Sequence, residues 1–340
     1  MVFHWSWRSK SVPRAAVVAL IALVGCQHRP AESKPVESTT ATMLDAPPAL
    51  PPVREGYAFI LAGERFDAGT RVVTFLESNG FNAYAIPVSA ATPYENHGVR
   101  RFPAPDGGEP AELPEPATLE QLRGLVDQVV LHYDSEGLSR RTFPILQKRG
   151  LSAHFLIDVD GTIYQTLDLR ERAYHATIAN SRSIGIEIAN LGAYPPGETQ
   201  EADAWYQRAA DGSVVMQSPP DDRPRGVFTP NFIARPDRPE PVRGVIHGKE
   251  FVQYDFTPEQ YAALARLLAA LHRALPAIAL DAPRDADGEV LTRQLTEEEF
   301  ARFRGLIGHL HIQANKIDPG PALQWERLIA EARALAAAQD

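Results

Sequence analysis

Cysteine is almost absent from this 340-residue chain, which contains only Cys26. A disulfide within one chain is therefore excluded, and so is a zinc site built from several thiolates. Any metal that the chain binds must be held by histidine and carboxylate side chains. The sequence also lacks an H-E-x-x-H motif, which argues against the common helical zinc peptidases.

An excess of basic residues is absent too, because the formal net charge is −9. A protein that follows the phosphates of nucleic acid needs a basic face, so the composition does not indicate a nucleic-acid partner. Apolar residues make up 44% of the chain and charged residues 23%, proportions that are ordinary for a globular protein. The length allows one large domain or two small ones.

Near the N-terminus, a short apolar segment follows three basic residues. Ala15–Val24 carries no charge and comes after Arg8, Lys10 and Arg14. It is shorter than the about 20 residues of a membrane-spanning helix, and it matches the apolar region of a signal peptide. The segment runs into the sequence LVGC, which resembles a bacterial lipobox and predicts lipidation of Cys26.

This pattern predicts a signal peptide over residues 1–25 and a membrane anchor through acyl chains on Cys26. Gln27 stands where an Asp would favour retention at the inner membrane. In a Gram-negative host, the predicted location is therefore the periplasmic side of the outer membrane. The alternative is an ordinary N-terminal helix with a buried cysteine.

The next two segments precede the patterned part of the chain. Residues 26–55 are rich in Pro, Ser, Thr and Ala, and this composition predicts a tether with little to bury. Residues 56–118 form an N-terminal extension, which contains a predicted helix over Thr70–Leu76 that Gly80 ends. Residues 86–118 are rich in Pro and Gly and predict irregular structure. The extension is either a separate module or a lid on the main domain.

Residues 119–340 alternate strand and helix patterns, which predicts an α/β fold with a mixed central β-sheet flanked by helices. A long insertion over about residues 192–240 carries many Pro, Asp and Arg residues. The helices are predicted from capping boxes at Thr257 and Thr296 and from an apolar stripe that begins at Trp325. The predicted strands are Val126–Leu131, Ser183–Asn190 and Gly305–His311, and Ser152–Leu167 is a predicted hairpin with a two-residue turn at Asp160-Gly161.

Two histidines and one aspartate have the composition of a catalytic zinc site. His132 ends a predicted strand, His309 lies in another, and Asp318 follows nine residues later in a tight turn. Such a set leaves a fourth position for water, which zinc converts to a nucleophile near neutral pH. Glu187, opposite the isoleucines of its strand, and Lys316, two residues before Asp318, are candidates for proton transfer and charge stabilisation.

Spacing alone is weak evidence, because the chain has ten histidines and most histidines are not ligands. Five motifs change that assessment: VVLHYD, LSAHFLIDVDGTIYQ, RAYHA, NSRSIGIEIAN and GHLHIQANKIDPGPALQW. Together they resemble the N-acetylmuramoyl-L-alanine amidase family, which is related to the peptidoglycan recognition proteins. The motifs stand in the family's order from about residue 125 to 330, and their combination is specific although each motif alone is not.

The resemblance implies a zinc enzyme that hydrolyses the amide between N-acetylmuramic acid and L-alanine in peptidoglycan or its fragments. The family's zinc ligands fall on His132, His309 and Asp318, its catalytic glutamate on Glu187 and its lysine on Lys316. Two further histidines match positions near the family's substrate groove and are predicted to bind substrate: His154 and His175.

Three features depart from the family pattern. His311 stands where the family often has Asp. On a strand, its side chain would point the same way as that of His309. It is either an outer partner of the metal site or a surface residue. The loop from His309 to Asp318 is slightly shorter than in relatives, which affects the reach of Lys316. His247 follows the insertion and lies outside the motifs. It is either a loop histidine or a ligand.

Two other functions remain compatible with the sequence. Related recognition proteins bind peptidoglycan without cleaving it, but they usually lack a complete set of metal ligands. A zinc peptidase could instead cut within the stem peptide. The predicted partners are peptidoglycan or muropeptides and a membrane, and no protein partner is predicted.

Overall fold

The computed structural model describes residues 53–85, 95–103, 108–217 and 226–338. The predicted signal peptide, Cys26 and most of the predicted tether lie outside the described residues. In chain order, the strands are β1 Ala58–Leu61, β2 Glu64–Asp67, β3 Val72–Thr74, β4 His97–Val99, β5 Arg101–Phe102, β6 Ala111–Glu112, β7 Gln128–Tyr133, β8 Phe155–Ile157, β9 Ile163–Gln165, β10 Glu171–Ala173, β11 Ser183–Ile188, β12 Ala193–Tyr194, β13 Tyr206–Arg208, β14 Val214–Met216, β15 Val242–Ile246, β16 Lys249–Gln253 and β17 Gly305–Gly308. The helices are α1 Leu119–Leu125, α2 Ser139–Lys148, α3 Gln200–Asp203, α4 Pro258–Ala274, α5 Glu297–Arg302 and α6 Trp325–Ala337.

A six-stranded sheet forms the centre of the molecule, in the order β17-β7-β11-β8-β9-β3. Its neighbouring strands are parallel except for β8 and β9, which are antiparallel. The sheet is therefore mixed, and the predicted fold class is confirmed. Since parallel neighbours end at the same edge, the last residues of β7, β11 and β17 lie close together.

One face of the sheet is covered by α4 and α6. Ile184, Ile186 and Ile188 of β11 belong to one buried apolar cluster with the leucines of α4 and with Leu328 of α6. Alternation along β11 then turns Gly185 and Glu187 to the opposite face, as the sequence predicts. Helix α4 begins at the predicted capping box, where the Thr257 side chain accepts from Gln260 N–H.

The N-terminal extension contributes to this same sheet. β3 pairs in parallel with β9, and Phe59 and Phe66 of the β1–β2 hairpin lie in the main apolar cluster. The helix predicted over Thr70–Leu76 is wrong, because β-branched Val72, Val73 and Thr74 form the edge strand instead.

Several other predictions also differ from the structure. Residues 86–118 were predicted to be irregular, but β4, β5 and β6 lie within them. The β8–β9 turn is longer than two residues, because Asp158 N–H donates to the Thr162 carbonyl and Gly161 adopts φ +77°. The strand predicted over Gly305–His311 ends at Gly308, and a 3₁₀ turn covers His309–His311. Within the described part of the predicted insertion are α3 and the strands β12 to β14. Among the helices of the described residues, none is long and apolar enough to span a membrane.

Candidate metal centre and active site

Three buried side chains meet where β7 and β17 end. His132 is the fifth residue of β7, and His309 follows directly after β17, its parallel neighbour. Asp318 lies in the turn before α6. One ligand atom from each side chain lies within 4.8 Å of the others, so the structure brings the predicted metal ligands together.

The three side chains lie close enough together to hold one metal ion. His132 Nδ1 is 2.7 Å from Asp318 Oδ2, and His309 Nδ1 is 3.2 Å from the same oxygen. Ligand atoms of a tetrahedral zinc site are about 3.4 Å apart. Burial lowers the pKa of His132 despite the opposing hydrogen bond with Asp318. A lowered pKa favours the neutral ring, which is the form that metal ligation requires.

The far nitrogen of each histidine has a partner of its own. His132 Nε2 lies 3.0 Å from His175 Nδ1, and His309 Nε2 lies 2.8 Å from Gln313 Oε1. Histidines that bind metals almost always donate their second N–H in this way, which fixes the tautomer and the ring orientation. Gln313 was not predicted from the sequence. It lies four residues after His309, and this spacing indicates a contact only if the segment forms a helical turn.

Glu187 stands next to the metal ligands. It pairs in register with His132 across β11 and β7, so both side chains project from the same face. Within the described part of the chain, no hydrogen bond or ion pair reaches its carboxyl group. Burial raises the pKa of Glu187 well above its ordinary value, and the charges of Asp318 and Asp134 act in the same direction.

A cleft of about 360 Å³ opens beside these groups and includes Lys316 in its lining. Lys316 is half-buried. The structure therefore brings all five residues predicted for the reaction to one cleft. Other lining residues include some from the end of α2, from the loop after it, from the position after β10 and from the segment before Asp318: Ile145, Leu146, Arg149, Leu151, Tyr174, Asn315 and Ile317.

Residues 122–228 match the family model described as N-acetylmuramoyl-L-alanine amidase. Over this segment the chain is similar to that amidase family. The matched segment contains His132 and Glu187, and it ends before His309, Lys316 and Asp318. Among curated proteins, none matches the chain significantly in sequence.

Several solved amidases are similar to the chain. The endolysin N-acetylmuramoyl-L-alanine amidase LysCS from Clostridium intestinale is 15% identical, with 62% of this chain and 86% of that chain covered and a TM-score of 0.33. AmpDh3 from Pseudomonas aeruginosa, in complex with an anhydromuramic pentapeptide, is 20% identical, with 61% and 59% covered and a TM-score of 0.35. AmiD from E. coli, in complex with anhydro-N-acetylmuramic acid-L-Ala-D-gamma-Glu-L-Lys, is 18% identical, with 61% and 57% covered and a TM-score of 0.33.

The two histidines that were predicted to bind substrate occupy different places in the structure. His175 lines the cleft and contacts His132. His154 is fully buried: its Nδ1 accepts from Gly185 N–H, and its Nε2 lies 3.0 Å from the Glu171 carbonyl. Burial lowers the pKa of His154 to about 3. The structure thus places His154 in the interior, where its ring joins two backbone segments and does not reach the cleft.

His311 and His247, whose roles the sequence left open, have backbone partners. His311 is buried: its Nδ1 accepts from Gly308 N–H, and its Nε2 donates to the Leu291 carbonyl 2.6 Å away. It is neither a surface residue nor a direct partner of His309, because the 3₁₀ turn directs the two rings differently. His247 contacts the carbonyl of Lys316 and does not belong to the metal cluster.

Proposed function

We propose that this protein is a zinc-dependent N-acetylmuramoyl-L-alanine amidase, which hydrolyses the bond between N-acetylmuramic acid and L-alanine in peptidoglycan or its fragments. One observation carries the proposal: the facing atoms of His132, His309 and Asp318 lie beside the buried carboxyl group of Glu187. The family match over residues 122–228 supports the same activity.

The chemistry is divided among the residues of the cleft. A zinc ion held by His132, His309 and Asp318 would supply a Lewis acid and lower the pKa of water. Glu187 accepts the proton of the attacking water and passes it to the leaving amine of L-alanine. Lys316 brings a positive charge to the negative charge that develops on the carbonyl oxygen.

Digestion of purified sacculi with the zinc-loaded protein tests this function, with mass spectrometry of the released products. An amidase releases stem peptides with a free N-terminal alanine and leaves the lactyl carboxyl group on the glycan. A receptor releases nothing, and a peptidase exposes other amino groups. Product must also disappear on chelation and return with zinc. Either of the other two product patterns would contradict the proposal.

We further propose that the protein is exported and anchored to a membrane through Cys26, on the periplasmic side of the outer membrane in a Gram-negative host. The apolar segment and the LVGC sequence support this proposal. Cys26→Ser should remove the acyl chains and release the protein from the membrane fraction. If this variant still carries acyl chains, the lipobox interpretation is wrong.

A further inference from the structure

The hairpin formed by β15 and β16 packs against the segment that carries Lys316 and Asp318. It lies outside the residues that match the amidase family model. Ile246 and Phe251 of the hairpin share a buried cluster with Leu310, and Ile317 packs against that cluster. Leu310 directly follows His309, and Ile317 separates Lys316 from Asp318. The hairpin therefore contacts the chain next to two predicted metal ligands.

His247 occupies the tip of this hairpin and reaches the backbone of Lys316. Its Nε2 lies 2.8 Å from the Lys316 carbonyl oxygen. Because a carbonyl only accepts, this nitrogen carries the proton and donates it. The His247 backbone N–H donates to the Thr292 carbonyl at 2.8 Å, so the tip is itself held in place.

The Asp318 turn is held separately, by Gln253 at the other end of the hairpin. Gln253 is buried, its Nε2 donates to the Pro319 carbonyl at 3.1 Å, and its Oε1 accepts from Ala322 N–H at 2.9 Å. Loss of the His247 contact therefore leaves the backbone beside Asp318 with its own support. The contact of His247 acts mainly on Lys316.

Apart from the packing of Ile317, the neighbours of Lys316 offer little other restraint. Ala314 and Asn315 are exposed, and the Lys316 backbone N–H donates to the Gln313 carbonyl within the same loop. Among the described residues, the bond from His247 is the hydrogen bond that ties residues 313–317 to a separate sheet. We propose that His247 is a positioning residue, which fixes the backbone from which the Lys316 side chain reaches the cleft. This role rests on the proposed amidase function, because Lys316 has a part in the reaction only there.

Two substitutions of His247 separate the effect of its hydrogen bond from the effect of its strained backbone. His247 has φ +52°, so His247→Gln and His247→Leu meet the same conformational cost. The Gln amide can donate to the Lys316 carbonyl, whereas Leu cannot. In the zinc-loaded enzyme, His247→Leu should lower kcat by about 10- to 100-fold and leave KM unchanged, and His247→Gln should retain most of the kcat. Zinc affinity should be the same in both variants.

A double-mutant cycle then tests whether His247 acts through Lys316. In a Lys316→Met background, His247→Leu should cause almost no further loss, whereas independent effects multiply. Multiplying effects, or equal kcat values for the Gln and Leu variants, would overturn the positioning role. Reduced zinc affinity in the Leu variant alone would do the same, because it would show an effect on the ligands.

The outcomes also distinguish the two proposals. If the wild-type protein releases no alanine-terminated peptide from sacculi, the amidase function fails and the role of His247 falls with it. If the wild type is active, the kcat values of the His247 variants decide whether the positioning role holds. Should the Leu variant not fold, His247→Gly removes the donor at a backbone conformation that glycine favours, and the same loss of kcat is expected.

Discussion

Glu187 combines burial with the absence of a partner among the described residues. A carboxylate that served only the fold would need a hydrogen bond or a counter-ion, because an unpaired buried charge is costly. A perturbed group in a cleft is more typical of a functional site. Its register with His132 places it beside the predicted ligands, where a proton acceptor is needed.

Glu187→Gln tests this role while the shape of the side chain is retained. The amide cannot take a proton at neutral pH, so kcat should fall by about 10²- to 10⁴-fold. Zinc content and the unfolding midpoint should stay near those of the wild type. Loss of zinc or of folding would show instead that Glu187 is structural, and near-normal turnover would exclude it as the base.

Gln313 offers a second test at the level of single residues. Its Oε1 accepts from His309 Nε2 at 2.8 Å and orients the ring. Gln313→Ala should therefore weaken zinc binding by about 10- to 100-fold, measured by competition with a chelator. Gln207→Ala, at an exposed position of β13, is the matched control and should bind zinc like the wild type. Equal zinc affinity in both variants would remove Gln313 from the metal centre.

The roles of Glu187, His154 and Gln313 could not be predicted equally well from the sequence, for physical reasons. Strand alternation alone placed Glu187 on the face away from the isoleucines. His154 has the same residue type as the ligands, but only its burial and the Gly185 contact show that it is structural. Gln313 could not be predicted as a partner of His309, because the predicted strand would have separated the two side chains. The 3₁₀ turn brings them together.

Helices α4 and α5 both begin with a Thr capping box but in different surroundings, and this allows a matched comparison. The Thr257 hydroxyl accepts from Gln260 N–H and also donates to the buried Val159 carbonyl at 2.7 Å. Thr296 accepts from Glu299 N–H at the exposed start of α5. Loss of a cap costs about 0.5–2 kcal/mol. Thr257→Ala should lie at or above the upper end of that range, because the Val159 carbonyl is left unsatisfied.

Thr296→Ala should cost about 1 kcal/mol or less. Urea unfolding followed by circular dichroism gives the free energy of unfolding of each variant. Equal losses for the two variants would show that the Val159 contact adds nothing to the cap of α4.

Elements with strong local signals were predicted correctly, whereas those set by tertiary pairing were not. The cap residues determine the starts of α4 and α5 locally. β3 is only three residues long, and its pairing with β9 overrides the helix-like pattern around it. The end of β17 is set by the His311 ring, which accepts from Gly308 N–H and closes the turn.

The N-terminal extension is built into the same fold as the predicted active site. Arg100 is fully buried, and its guanidinium donates to the carbonyls of Leu169, Ser181 and Ser183. These carbonyls flank the segment that carries His175, the partner of His132. The sequence could not reveal this, because a single Arg in a Pro-rich stretch gives no local sign of its buried destination.

Truncation tests this integration at the scale of the whole molecule. A protein of residues 117–340 keeps Thr118, the cap of α1, but it lacks β3 and Arg100. It exposes the edge of β9 and leaves three buried or part-buried carbonyls without their donor, each at a cost of up to about 1–3 kcal/mol. That total approaches the whole stability of a typical domain, so this protein should not unfold cooperatively in urea. A protein of residues 53–340 is the control and should show a single cooperative transition. If residues 117–340 unfold at the same urea concentration as the control, the extension is a separate module after all.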